Sequence, residues 1–228
     1  MKMNKKQAYF IAGTDTGVGK TLIASALVHS FVQHGLRSVG MKPIAAGCAL
    51  RRGRLMSEDV GQLIAASNVE TPLDLVNPYA LAPAIAPHIA ARQSGVSLEL
   101  TTIVAAYERL ADLAEAVVVE GVGGFCVPLN DRHDTADLAQ ALGLPVILVV
   151  GMRLGCLNHA LLTAEAIKRR GLRLTGWVAN RIDAEMLVYE ENLQTLRQRL
   201  DVPCLGVLPW LGPQVTAADA AAYLQLPV

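Results

Sequence analysis

The sequence predicts an α/β fold: a single-domain, doubly wound, mostly parallel sheet with helices on both faces. Three observations predict it. Short apolar runs of four to six residues alternate along the chain with helical patterns, several of ten residues or more. The first of these runs, Ala8 to Ala12, opens into a glycine-containing turn and then a helical pattern from about Lys20. Apolar residues make up 52% of the chain, enough for a substantial core, and no uninterrupted stretch approaches the ~18 residues of a membrane span.

Each element follows from local pattern. Thr21 to His34 carries Leu22, Ala26 and Phe31 at helical spacing, and Gly35 stops it. Ser38 to Met41 reads as a second strand with Lys42-Pro43 at its carboxyl end. Gly47 to Gly53 reads as a loop that Arg51, Arg52 and the adjacent Arg54 keep solvated. Ser57 caps an expected helix through Ala66, with Glu58 and Asp59 in its first turn. Glu70 to Pro87 is rich in proline and reads as an extended loop in which Leu73, Val76, Tyr79 and Ile85 can pack. A long helix from Leu98 to Ala114 precedes the strand Ala116 to Glu120.

Beyond it, Thr135 to Leu142, Asn158 to Arg170, Glu185 to Leu200 and Ala217 to Leu224 read as helices. They alternate with the strands Pro145 to Val150, Leu174 to Ala179 and Cys204 to Leu208. No repeat or linker divides the chain, so one domain is expected over residues 1–228.

Chemistry concentrates where strands end. Gly13-Thr-Asp-Thr-Gly-Val-Gly-Lys-Thr21 lies between a strand and a helix, where backbone N–H groups and the helix dipole converge on an anion. Lys20 is placed to reach the terminal phosphates of a nucleoside triphosphate and the Thr21 hydroxyl to hold Mg²⁺, the arrangement of a P-loop NTPase. Thr14 stands where the first motif glycine is usual, but the core from Gly17 to Thr21 is intact. In an open parallel sheet, ligands bind beyond the carboxyl ends of the strands. Lys42, Glu120, Arg153 and Asn180 then line one rim.

Val117-Val-Val-Glu120 resembles a Walker B strand whose carboxylate supports Mg²⁺. Asp59 by itself reads as a partner of its helix dipole. Lys42 reads either as a solvated lysine or as a second cation beside the transferring phosphoryl group. Asn180-Arg-Ile-Asp183 resembles the base-reading motif of GTPases without its lysine, which argues against guanine specificity. No His–carboxylate pair and no zinc-like Cys/His spacing stands out, so Mg²⁺ is the metal supported.

Several motifs together resemble the dethiobiotin synthetase family. They are the phosphate loop, Met41-Lys-Pro43, Val76-Asn-Pro-Tyr79, Val119-Glu-Gly-Val-Gly-Gly124, Val149 to His159, Gly176-Trp-Val-Ala-Asn180 and Pro209-Trp-Leu211. The resemblance runs from about Tyr9 to about Leu211. It implies ATP-dependent conversion of 7,8-diaminononanoate and CO₂ to dethiobiotin in biotin biosynthesis, through a carbamate and a carbamic–phosphoric anhydride. Lys20 and Lys42 become catalytic groups, and Thr21, Asp59 and Glu120 become Mg²⁺ ligands. ATP would be bound by Thr16, Gly17, Val18, Gly19, Lys20, Thr21 and Leu22. It would also meet Asp59, Glu120, Gly121, Val122 and Gly123. Asn180, Arg181, Pro209, Trp210 and Leu211 would bound its base.

The resemblance further implies a homodimer with active sites at the interface. Ala46 would lie beside the amines. Leu154, Gly155, Cys156, Leu157 and Asn158, at a helix N-terminus, would hold the carboxylate of the neighbouring subunit's substrate. The family often has an acidic residue where Gly17 stands and a small hydroxyl residue where Ala46 stands, so this chain departs from the pattern at both.

Composition excludes other classes. Twenty basic and twenty acidic residues cancel, so no global field recruits nucleic acid or an anionic membrane. The basic N-terminus is followed by too short an apolar run for a signal peptide, and a cytoplasmic protein with reduced thiols is expected. Amide-forming synthetases of corrinoid pathways share the loop but usually need a glutaminase domain, for which there is no room. A partition- or septum-type switch ATPase carries a lysine where Asp15 stands.

Overall fold

The computed structural model describes residues 6–51, 53–212 and 214–227. Strand β1 (Gln7–Gly13) runs into the phosphate loop, which feeds helix α1 (Lys20–Gln33). Next come β2 (Ser38–Met41), β3 (Ile44–Ala46), β4 (Ala49–Arg51), β5 (Arg54–Met56) and α2 (Glu58–Ala66). The proline-rich stretch holds α3 (Leu73–Val76) and β6 (Tyr79–Leu81) and leads into α4 (Pro87–Gln93). After α5 (Leu100–Leu113) the chain alternates through β7 (Ala116–Glu120), α6 (Thr135–Leu142), β8 (Val146–Met152) and α7 (Cys156–Arg169). It ends with β9 (Leu174–Arg181), α8 (Tyr189–Arg199), β10 (Cys204–Leu208) and α9 (Ala217–Ala221).

Six strands form one sheet in the order β10-β9-β8-β1-β7-β2, with every neighbouring pair parallel. Successive side chains of a strand point to opposite faces, and β1 illustrates it. Phe10 and Ala12 join a core with α5, α6, α7 and α8, whereas Tyr9 and Ile11 join another with α1 and α9. Helices therefore cover both faces, as the unbroken apolar strands require.

Strand order positions the chemistry. β7 lies between β1 and β2, with Ile11 paired to Glu120 and Met41 to Val119. Glu120, at the end of β7, is thereby set between the phosphate loop that follows β1 and Lys42, which follows β2.

Two expectations need correcting. The stretch from Gly47 is not a plain loop: β4 and β5 pair antiparallel, Arg51 opposite Arg54, while Arg52 lies outside the described residues. The stretch from Glu70 to Pro87 is not wholly extended. Its β6 pairs parallel with β3, setting Ala46 opposite Leu81. Val76 is buried as expected, but Ile85 is 41% exposed. The β4–β5 pairing is a local hairpin closed between Arg51 and Arg54, whereas β3 and β6 meet from distant parts of the chain, with Ile44 opposite Tyr79, and leave no short-range signature. Helix ends also differ: α7 starts at Cys156 rather than Asn158, and α8 at Tyr189 rather than Glu185.

Candidate active site

Two helices of the sheet's carboxyl rim begin alike. Gly19, at φ 89°, precedes α1, and Gly155, at φ 94°, precedes α7; no side chain caps either start. Glycine takes this left-handed backbone without a Cβ penalty. The uncapped N–H groups and the dipole of each helix are then available to an anion. α2 contrasts with both: its Ser57 hydroxyl caps it by accepting from Val60 N.

A cavity of about 730 Å³ opens beside the first of these helices. Thr16, Gly17, Gly19, Lys20 and Thr21 line it from the loop, and Lys42, Asp59 and Glu120 line its floor. Ala46, Val122 and Gly123 reach it as well. At the floor, Glu120 Oε1 accepts from Lys42 Nζ at 2.5 Å and from the Thr21 hydroxyl at 2.8 Å. Lys42 Nζ lies 2.9 Å from Asp59 Oδ2 and 3.4 Å from the Gly121 carbonyl. Gly121 is closely packed there: a Cβ would stand 3.0 Å from Phe10 and 3.2 Å from the Ile11 carbonyl, tighter than ordinary contact.

Lys42 is 4% exposed and Glu120 1%. Burial disfavours the ammonium of Lys42, but the carboxylates of Glu120 and Asp59 outweigh it and raise its pKa. Lys42 is therefore held as a cation. Burial pushes Glu120 up, and the Lys42 charge opposes that shift. Lys20 is lowered to about 8, by burial first and by the nearby Lys42 charge second. Its Nζ donates to the Asp15 carbonyl at 2.8 Å.

The donor set suits a hard divalent cation. Thr21, Asp59 and Glu120 offer only oxygen, and Glu120 Oε2 is buried without a hydrogen-bond partner. Among the described residues, no cluster of three His, Cys, Asp or Glu side chains could hold a metal unaided. Mg²⁺ does not need one, since it is usually bound through one or two carboxylates plus substrate phosphates.

Other expected residues lie outside this cavity. Val18 is buried, and its carbonyl accepts from Asn180 Nδ2 at 2.9 Å. Leu22 packs against the core on the α1 face. The Arg181 guanidinium donates to the Asp183 and Ala184 carbonyls and lies over the Tyr189 ring, 4.7 Å from its centre. Pro209, Trp210 and Leu211 follow β10, whose Leu208 pairs with Asn180. Trp210 is half exposed beside that strand end. Leu154, at the start of α7, is 95% exposed, and Cys156 is buried. Leu157 and Asn158 follow it in the first turn of α7, away from the cavity lining.

Sequence reasoning missed one wall. Ala84, Ile85, Ala86, Pro87 and Val127 also line the cavity, adding apolar surface to its charged lining. The β3–β6 pairing brings the first four there, and Gly47 N donates to the Pro83 carbonyl at 3.1 Å. A run of small and apolar residues between prolines carries no signal for that. It also missed the ion pair of Arg153 with Asp15, 138 residues apart in the chain.

Known proteins resemble this chain in sequence and in fold. A family model described as an AAA domain matches residues 7–218. The ParA family ATPase of Chlorobium tepidum TLS superposes with a TM-score of 0.59 at 13% identity, covering 96% of this chain and 100% of that one, which establishes the shared fold. The ATP-dependent dethiobiotin synthetase BioD of Aromatoleum aromaticum is 55% identical over 225 residues, 99% of this chain and 100% of its own. The enzyme of the same name from Nitrosospira multiformis is 55% identical over 208 residues, 91% of this chain and 90% of its own. Identity of that degree over whole chains places this one by descent: it belongs to the ATP-dependent dethiobiotin synthetases.

Proposed function

We propose that this cavity closes the ureido ring of dethiobiotin from 7,8-diaminononanoate, CO₂ and ATP. One observation carries the proposal: Thr21 and Lys42 converge on one buried oxygen of Glu120 in a cavity whose lining also includes apolar residues. The floor suits transferring phosphate and the wall suits an aliphatic diamine.

In the proposed sequence, one amine of the substrate adds to the carbon of CO₂ and gives up a proton, leaving a carbamate. A carbamate oxygen attacks the γ-phosphorus of ATP, and the bond to ADP breaks. The second amine then attacks the carbonyl carbon of the mixed anhydride and loses a proton. Phosphate leaves with the bonding electrons, and the ring is closed. Lys20 and Lys42 place two cations where negative charge gathers during phosphoryl transfer. Lys20 would exchange the Asp15 carbonyl for a phosphate, and the phosphate's charge would keep it protonated.

Mg²⁺, held by Thr21, Asp59 and Glu120, would neutralise charge on the phosphates. Thr16, Gly17, Val18, Gly19 and Leu22 would shape the phosphate loop around ATP, with Gly121, Val122 and Gly123 facing it. Asn180, Arg181, Pro209, Trp210 and Leu211 would bound the base, and Ala46 would approach the amines.

The proposal includes a homodimer. The exposed Leu154 and the uncapped start of α7 support it, because that helix end lies outside its own chain's cavity. Leu154, Gly155, Cys156, Leu157 and Asn158 would hold the carboxylate of the neighbour's diamine. One domain, residues 1–228, would carry everything else. The cytoplasm is the proposed compartment; among the described residues no helix is long and apolar enough to cross a membrane.

Phosphate release and dethiobiotin formation from ATP and Mg²⁺ test the proposal, with and without the diamine and bicarbonate. Release that needs both carbon substrates, matches product one to one and disappears in Lys42→Met supports it. Release indifferent to the diamine overturns it in favour of a switch ATPase.

A further inference from the structure

The phosphate loop is tied to a distant segment by a pair that the proposed chemistry does not use. Arg153 Nη2 lies 2.5 Å from Asp15 Oδ2, with side chains 43% and 44% exposed. The other Asp15 oxygen accepts from Thr16 N at 2.7 Å, and the Asp15 carbonyl accepts from Lys20 Nζ at 2.8 Å. One residue therefore holds Arg153, a loop amide and the loop lysine with three different oxygens. Arg153 is equally placed on its own side. It lies between β8 and α7, and its carbonyl accepts from Cys156 N at 3.0 Å, the first residue of α7.

Stability is a poor reason for such a pair. Both groups are substantially solvated, and exposed ion pairs contribute little to folding. Nor are the strands in need of it, since β1 and β8 already pair from Phe10 to Gly13. What the contact supplies is a link between two uncapped helix starts: its side chain reaches the loop before α1, and its backbone sets the first turn of α7.

Lys20 Nζ donates to the Asp15 carbonyl. A bound triphosphate would compete with that carbonyl for the ammonium, leaving Asp15 its bonds to Arg153 and Thr16. A ligand favouring one arrangement of the α7 start biases the loop through Arg153, and the loop biases the α7 start equally.

We propose that Arg153 is a positioning residue that couples nucleotide binding at the phosphate loop to carboxylate binding at the α7 N-terminus. ATP and the diamine thereby bind with positive cooperativity. The inference rests on the assignment of Leu154 to Asn158 to the diamine carboxylate under the proposed function. Because that carboxylate belongs to the neighbour's substrate, the coupling runs between the two sites of a dimer.

The test is the dissociation constant of diaminononanoate with and without a saturating non-hydrolysable ATP analogue. It is measured calorimetrically for the intact protein and for Arg153→Gln, Asp15→Asn and Arg153→Lys. The expected coupling is about 10-fold in the parent, close to 1 in Arg153→Gln and in Asp15→Asn, and partly restored in Arg153→Lys. Absence of coupling in the parent overturns the inference. So does a variant that weakens both ligands but leaves their ratio intact, the behaviour of a purely structural contact. Failure of the proposed function is separately visible, as absence of dethiobiotin formation in the parent protein.

Discussion

Lys42 Nζ lies 2.5 Å from Glu120 Oε1, a buried ion pair that spans the carboxyl ends of two neighbouring strands. The pair is costly to break from one side, because the surviving charge is left without a partner in a medium that solvates it poorly. Lys42→Met should therefore destabilise the fold by about 3–5 kcal/mol. For a chain of this size that is a fall of roughly 10 °C in Tm. The double variant Lys42→Met/Glu120→Gln should recover much of that loss without recovering dethiobiotin formation. Urea denaturation and a product assay on both variants decide it. A single variant as stable as the parent would show that the pair carries no buried charge.

Gly19 is a second sharp position. Its φ of +89° disfavours any side chain, and a Cβ there would stand 2.2 Å from Asn180 Nδ2. Gly19→Ala should cost about 1–2 kcal/mol of backbone strain and weaken ATP binding by roughly tenfold or more. Gly17 offers the contrast: its φ is +74°, but nothing lies within 4 Å of an added Cβ. Gly17→Glu, which restores the acidic residue of the family pattern, should cost only the strain. Calorimetric ATP titration of the two variants separates these outcomes.

The apolar wall predicts a selective kinetic effect. Ile85 belongs to the apolar part of the cavity lining. Ile85→Ser should raise KM for the diamine about five-fold, equivalent to ~1 kcal/mol of lost apolar contact. KM for ATP should stay unchanged. Equal increases for both substrates would mean that the wall does not face the diamine.

A pH prediction concerns the far side of the sheet. Asp134 and Asp137 form the capping box of α6, and Arg170 Nη1 lies 2.5 Å from Asp137 Oδ1. Slight burial would raise the Asp137 pKa, but the Asp134 N–H and the Arg170 guanidinium outweigh it and hold it below 3.8. A carboxyl depressed on folding stabilises above its unfolded pKa, and that stability is lost as pH falls through the folded value. Arg170→Ala should thus be about 0.5–1 kcal/mol less stable than the parent at pH 7, allowing for solvent screening. The gap should narrow on acidification below about pH 4 and in high salt. Denaturation midpoints at pH 7 and pH 3 measure it, and an unchanged gap would exclude Asp137 as its source.

Much of the site was readable in one dimension. The strand, glycine turn and helix around Gly17 to Thr21 leave a local signature, because an anion site at a helix start needs those residues at that spacing. Glu120 was readable as the polar end of an apolar strand, and Lys42 as the cation after another. The proline-rich segment was not. Its contribution depends on β3 meeting β6, a contact between Ala46 and Leu81 that no short-range pattern encodes. The Arg153–Asp15 pair escaped for the same reason.

The sequence by itself determined the class of fold, the phosphate loop and the family, because each rests on residue types at fixed local spacing. Only the tertiary structure decided the order β10-β9-β8-β1-β7-β2. That order inserts β7 between β1 and β2, so Thr21, Lys42 and Glu120 meet although Thr21 and Glu120 are 99 residues apart. Strand order is settled by how whole apolar faces pack against helices on two sides. Packing of that kind belongs to the assembled core and to no single segment of the chain.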